Sequence, residues 1–452
     1  MNTENQSRRG PLASALTRQC NLRRTSTRHW RAKATASGTR RMGFRLAILV
    51  AGMMLASGRR TASSWFAAAG VRDDWDRFYD CLGSVGRCFK KLSAVVLGCV
   101  LKTVFTITGA GTQRVLLAID DTPTARYWRH VEGAGVHHDP TPGPAGSEFM
   151  YGHNWVTLAL LAAHPLWGVI ALPLMSLLYV RRINVPKLAA TYSWVFRTKH
   201  HLAVELVEWF LKTIDSLELT RQVWVVVDGA YAARPFIIPL CQKGVTLFSR
   251  LRRDAVLSDL PPKRPPGTRG RPAIYGERLS LAKRAAHRGG WEKLTYLCRG
   301  REVTRQVKSF TAMSKLTGGL IRVVIVRFED GRWAPYFCTD AAVSVREILE
   351  AVASRWALEE HFHDIKEVWG AGQQQVRNLW SNIGCWHLNQ WLFTLVEICS
   401  WDREKTALTN PSRSPLGPRR PPPLARRPPT LHRTGNAAKP ISHTCPLHLR
   451  FD

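Results

Sequence analysis

The sequence predicts a mixed α/β protein: a mostly buried sheet, interrupted by an inserted β unit and preceded by a helical unit. Three observations carry this expectation. The apolar runs "VLLAI" (115–119) and "VWVVV" (223–227) are too short for helices, and each ends in acid, Asp120 and Asp121 after the first and Asp228 after the second. A long helical pattern, "HLAVELVEWFLKTI", lies between them, and strands that alternate with helices build buried, partly parallel sheets. Late in the chain, "SVREILEAVASRWALEEHFHDIKEVWG" reads as one helix, with Ser344 as N-cap, Glu347 completing a capping box and Gly370 as the stop.

Composition narrows the function classes. A chain of 452 residues with 45% hydrophobic content can bury a sizeable core in two or three units. Its 65 Lys and Arg against 33 Asp and Glu leave a net charge of +32, which implies a polyanionic partner, nucleic acid before an anionic membrane surface. Ten cysteines, none in a CxxC pair, argue against a zinc ribbon or a secreted disulfide scaffold and fit a reducing cytoplasm. The N-terminus lacks the apolar segment of a signal peptide, and its basic, acid-poor opening is shared by transit peptides and disordered arms.

Residues 1–43, with Glu4 as the only acid, are expected to form a basic disordered arm. A helical unit follows over 44–112, read from "FRLAILVAGMMLAS", "TASSWFAAAG" with Thr61 as N-cap, and "DDWDRFYDCLG". Arg59 and Arg60 in the intervening turn suit either a helix-turn-helix or an ordinary small bundle.

The sheet begins at Gln113, and the Thr-Pro after Asp121 signals a turn. Trp155 to Val180 carries no formally charged side chain, but "HPLWG" in its middle makes it a hairpin of two buried strands rather than a membrane span. "PFIIPLCQKG" reads as a helix and "VTLFSRL" as a strand. The core is expected over 113–251 and 334–402. Between them, 252–333 opens with the basic loop "PPKRPPGTRGRPAIYG" and continues in strands such as "EVTRQVKSF" and "GLIRVVIVRF". "WHLNQWLFTLVEICSW" adds a last helix, and 403–452, rich in Pro and Arg, is expected to be extended or disordered.

The chemistry resides in the acids. Arg355, Glu359, Phe362 and Lys366 recur at steps of four, three and four, so one helical face carries a carboxylate flanked by cations. Strand-end carboxylates plus a helical one match the needs of two-metal phosphoryl chemistry, in which hard cations take bridging oxygens and the bases hold phosphates. Neighbours in a strand point to opposite faces, so strand geometry leaves open whether Asp120 or Asp121 serves. His137, His138 and Asp139 are metal-ligand types, but their Gly/Pro-rich loop favours a structural role. Arg269, Gly270, Arg271 and Pro272 read as a minor-groove hook or a solvated basic loop. Trp380, Trp386 and Trp391 read as core rather than as base-stacking platforms.

"AIDDTPT", "VVVDGAY" and "RWALEEHFHDIK", in this order, resemble the three acidic motifs of the DDE-type insertion-sequence transposases, and "IKEVWGAGQQQVRN" extends the likeness, which runs from about residue 44 to 402. Val352 stands where that family has a tyrosine. The resemblance implies a ribonuclease-H-like sheet with the β unit inserted before the glutamate. It assigns catalysis and two Mg²⁺ or Mn²⁺ ions to Asp121, the acid before the threonine, with Asp228 and Glu359, and phosphate or DNA contacts to Arg355 and Lys366, beside the basic-loop Arg269 and Arg271. It implies binding of terminal inverted repeats, metal-dependent cleavage and strand transfer, DNA as the partner, a homodimer assembled on DNA, no membrane, and a cytoplasmic, nucleoid-associated location. The alternatives are a nuclease without strand transfer, and a non-catalytic DNA-binding remnant, to which the abrupt Pro/Arg tail after "CSWDREKTAL" lends weight.

Overall fold

The computed structural model describes residues 36–401, excepting 109–113, 129, 139–146, 165, 218, 220, 266 and 268. The Pro/Arg-rich tail, residues 1–35 of the basic arm and Asp139 lie outside the described residues, and residues 36–43 of the expected arm belong instead to a helix.

Among the described residues four helices come first: α1 (Ala36–Leu55), α2 (Ala62–Ala68), α3 (Trp75–Arg87) and α4 (Phe89–Thr108). Thr61 caps α2 as expected, its hydroxyl accepting from the Ser64 amide. The sequence pattern predicts no element where α4 lies. Its many β-branched residues are poor helix formers, and packing against α11 (Leu379–Cys399) and the sheet overrides that weakness. The backbones of α3 and α11 nearly touch: a Cβ on Gly86 would sit 1.8 Å from the Trp380 carbonyl oxygen, and one on Gly384 would sit 2.1 Å from that of Leu82. Leu49, Trp65, Phe66 and Leu97 of the helical unit share one apolar cluster with α11 and the sheet.

The sheet starts with β1 (Arg114–Ala125), β2 (Gly135–His138), β3 (Phe149–His164) and β4 (Gly168–Tyr179). β3 and β4 form the expected hairpin, closing with His164 opposite Gly168. Among the described residues no helix is long and apolar enough to cross a membrane. After α5 (Val185–Tyr192) and α6 (Lys199–Ser216), β5 (Gln222–Val227), α7 (Arg234–Cys241) and β6 (Thr246–Arg250) complete the core. β4, β3 and β1 are antiparallel neighbours, and β5 and β6 continue parallel to β1. That order and those directions are ribonuclease-H-like.

The inserted unit comprises β7 (Leu257–Ser258), β8 (Arg278–Leu279), α8 (Leu281–Ala286), β9 (Glu292–Cys298), β10 (Arg301–Ser314) and β11 (Gly319–Arg327). β12 (Trp333–Cys338) pairs with β11 on one side and β6 on the other, so insertion and core form one 12-stranded sheet. Side chains alternate across it. Leu117, Ile119 and Val227 face the larger cluster with α6 and α11, while Ala118, Val226 and Phe248 face α9 (Val345–Ser354) and α10 (Trp356–Glu367).

Two local expectations change. β1 does not turn at Thr122–Pro123 but stays paired with β3 as far as Ala125 opposite Gly152. Its pairing with β5 ends at Ile119, which leaves that side open where Pro123, lacking an N–H, is tolerated. The helix expected over 344–370 is interrupted at Arg355. The Ser354 hydroxyl donates to the Glu350 carbonyl at 2.7 Å, a contact that bends helices. The Ser344–Glu347 capping box and the stop at Gly370, with φ +70°, are present as expected.

Candidate active site

The register of β1 against β5 builds the site. The last parallel pair is Ile119 with Val227, so Asp120 and Asp228 are the next residue on each strand and leave the sheet on the same face. That face is covered by α9 and α10, which brings Glu359 over the strand ends. Arg355 joins the set: its guanidinium donates to the Asp120 carboxylate at 2.6 Å and also to Glu359 one turn on. Asp228 caps the short turn after β5, accepting from the Ala230 amide.

Asp121 points the other way. Its carboxylate accepts from the Lys199 ammonium at 2.6 Å and from the Tyr231 hydroxyl at 3.0 Å. Lys199 opens α6 immediately after its N-cap, Thr198, and Tyr231 ends the turn that Asp228 begins. Sequence reasoning assigned neither residue a role. Tyr231 lies within the motif "VVVDGAY", whereas no motif includes Lys199, whose only local signal is the preceding Thr198.

Electrostatics follow from burial and like charge. Burial pushes the Asp120 carboxyl up to about 7 against the pull of Arg355, with Asp228 and Asp121 adding to the rise. Although burial opposes it, three carboxylates, Asp120, Glu359 and Asp228, hold Arg355 above its usual value. Burial, then Asp121 and Asp120, raise Tyr231 well above the ordinary phenol, so it stays a donor.

Lys366 and Asp121 both line an open cleft of about 1370 Å³ along the last residues of β1, Asp121 to Ala125. On α10 Phe362 is buried, Glu359 and Lys366 are partly buried, and Glu360 is exposed. Arg269 and Arg271 are exposed in the loop between β7 and β8. His137 is buried on β2 and pushed down to about 4 by burial and by the cations Lys199 and Arg181, while His138 is exposed. Trp386 stacks on Trp155 at 5.1 Å, and the Trp391 indole donates to the Leu174 carbonyl, so both belong to the core.

Arg60 turns inward: its guanidinium donates to the Met53 carbonyl at the end of α1, and its amide donates to the side chain of Gln373. Gln374 returns a bond to the Arg60 carbonyl. The "GAGQQQ" segment thereby fastens the helical unit to the end of α10.

Among the described residues no three His, Cys, Asp or Glu side chains stand together closely enough to hold a metal ion. Arg355 pairs with both Asp120 and Glu359 instead. The donor set nevertheless fits a hard cation in kind. All three groups are carboxylates, and burial together with like-charge crowding raises the proton affinity of Asp120, a cost that a bound cation relieves.

Fold and carboxylate placement together define a ribonuclease-H-like protein with an acidic site where the parallel pairing of two adjacent strands ends. The family model of the DDE superfamily endonucleases matches residues 32–312, and the chain belongs to that family. The matched span includes Asp120, Asp121, Lys199, Asp228 and Tyr231 and ends before Arg355, Glu359 and Lys366. No curated protein matches. Among solved structures the chain is similar to a piggyBac transposase synaptic complex with hairpin DNA, at 10% identity and a TM-score of 0.33, over 79% of this chain. The match spans 65% of that chain, just under two thirds.

Proposed function

We propose that this protein is a DDE-type DNA transposase, acting on the ends of its own element, with Asp120, Asp228 and Glu359 as the carboxylates that hold the metal. The register that sends Asp120 and Asp228 to one face, under Glu359, carries this reading. It moves the first ligand one residue from Asp121, which faces Lys199 and Tyr231 on the other side.

DDE superfamily enzymes generally use divalent metal ions; such ions, when bound, would supply an activated attacking oxygen and charge neutralisation at the phosphate. This chain's own residues orient and neutralise. Arg355 is set between Asp120 and Glu359 with further N–H donors for a phosphate. Lys366 meets the backbone from the cleft wall. Lys199 neutralises Asp121, which lines the same cleft, so that carboxylate adds no uncompensated charge against an approaching phosphate. Exposed Arg269 and Arg271 extend the basic surface. On this reading the partners are element ends and target DNA, two copies act together on the DNA, two Mg²⁺ or Mn²⁺ ions serve the site, and the protein resides in the cytoplasm with the nucleoid.

Purified protein incubated with labelled element ends, Mg²⁺ and a target plasmid is expected to yield joined products. Nicked or cut ends without joining would support the hydrolytic nuclease. Salt-dependent DNA binding with neither product, over active pH and metal ranges, would support the non-catalytic remnant. With a chain of +32, binding is expected to weaken with salt at a log-log slope of about −0.9 per phosphate neutralised.

A further inference from the structure

Tyr127 and Trp128 follow, after Arg126, the strand that carries Asp120 and Asp121, and both line the cleft shared by Asp121 and Lys366. They are among the most exposed large side chains of the described residues, at 73% and 62%. Two consecutive aromatics left in water lose the stabilisation that burial would bring. The backbone beneath them is nonetheless firmly held. Arg126, buried just before them, donates to His153 Nδ1 at 3.1 Å and to the carbonyls of Gly372 and Gln374. His153 completes the clamp through its other ring nitrogen, 2.9 Å from the Glu132 carbonyl. On the far side the Arg59 guanidinium stands 6.0 Å over the Tyr127 ring. A rigid base carrying two exposed aromatic rings, in a cleft lined also by the cations Arg59 and Lys366 and by Asp121, the chain neighbour of Asp120, is the construction that stacks nucleobases.

We infer that Tyr127 and Trp128 form a stacking platform for an unpaired nucleobase of the DNA strand in this cleft, with Arg59 and Lys366 on the adjoining phosphates. The inference rests on the DNA reading above and adds a preference for strands with unstacked bases. The expected ligand is an overhang, a frayed end or a gap, with little sequence preference because every base presents a π face.

The test uses the full chain and two oligonucleotide duplexes of equal charge, one blunt and one with a short single-stranded overhang carrying 2-aminopurine. Fluorescence anisotropy is expected to give about tenfold tighter binding to the overhang, with quenching of the 2-aminopurine on binding. Trp128→Ala and Tyr127→Ala are expected to abolish both the preference and the quenching while leaving blunt-duplex affinity within about twofold, and Trp128→Phe is expected to restore most of the preference. Equal affinity of the wild type for both duplexes, or a preference that survives in the double Ala variant, overturns the platform and leaves the DNA reading intact. Absence of salt-dependent binding to either duplex overturns both.

Discussion

Asp120 and Asp228 occupy the same step of two adjacent parallel strands, each one residue past the Ile119–Val227 pair. Because residues in register on parallel strands point the same way, the two carboxylates share a face, and Asp121 is excluded from it.

Asn substitutions separate the two neighbouring aspartates. Asp120→Asn is expected to lower Mg²⁺-dependent cleavage of element ends by orders of magnitude. Asp121→Asn, which still accepts from Tyr231, is expected to cost about tenfold or less. The measurement is single-turnover cleavage with binding monitored in parallel. The reverse ranking would return the first ligand to Asp121.

On α10 the contrast is between Glu359 and Glu360. They differ by about 100° around the helix, with Glu359 half-buried against Arg355 and Glu360 exposed. Glu359→Gln should abolish cleavage while sparing DNA binding, and Glu360→Gln should stay within about twofold of wild type. If Glu359 only paired with Arg355, a contact worth about a few tenths of a kcal/mol, both variants would cleave normally.

Acid should loosen the core through His387. Its ring lies fully buried, with Nδ1 2.8 Å from the Ile383 carbonyl and Nε2 accepting from the Ser176 amide. Burial lowers it from 6.5 to about 4. The folded state therefore binds this proton more weakly than the unfolded chain. Stability from this group is complete above about pH 6.5 and lost as pH falls toward 4, up to about 3 kcal/mol. Urea denaturation between pH 7.5 and 5 should show a shallower pH dependence in His387→Gln than in wild type; equal slopes would refute the assignment.

Two glycines test the helix crossing. Gly86→Ala drives a methyl into the Trp380 carbonyl and should cost about 2–3 kcal/mol or more. A methyl added at Gly98 meets nothing within 4 Å, so Gly98→Ala should be neutral or gain up to about 1 kcal/mol. Chemical denaturation of the two variants reads the difference directly.

What could be read from the sequence was local. The β3–β4 hairpin announced itself by the break at His164–Gly168, and α9 by the reciprocal Ser344–Glu347 cap, because both signals lie within a few residues. The extension of β1 through Pro123 was hidden, since it depends on β3 being long enough to pair with it. α4 was hidden for a similar reason: its own composition is poor for a helix, and α11, almost 300 residues later, is what it packs on. All three acidic motifs were visible as motifs. Which aspartate faces Glu359 was not, because that is decided by the β1–β5 register and by no residue in "AIDDTPT" itself. The tryptophans show the same division. Trp386 and Trp391 are buried in the core as expected and Trp380 packs partly buried against it, while the exposed pair at 127–128 stands out only once Arg126 is seen to hold the backbone beneath it.

β12 runs along β6, hydrogen-bonded from Phe337 opposite Ser249, and so the segment that looks like an insertion returns to seal the flank of the parallel strands. Without it, β6 would present a row of unpaired N–H and C=O groups, with Leu247 and Phe248 beside them, to any passing chain. Bare strand edges of that kind template intermolecular sheet growth. A shortened protein in which residue 251 is spliced to residue 344 would keep every acidic residue of the site and still be prone to self-association, because the excised segment is also the guard of the sheet.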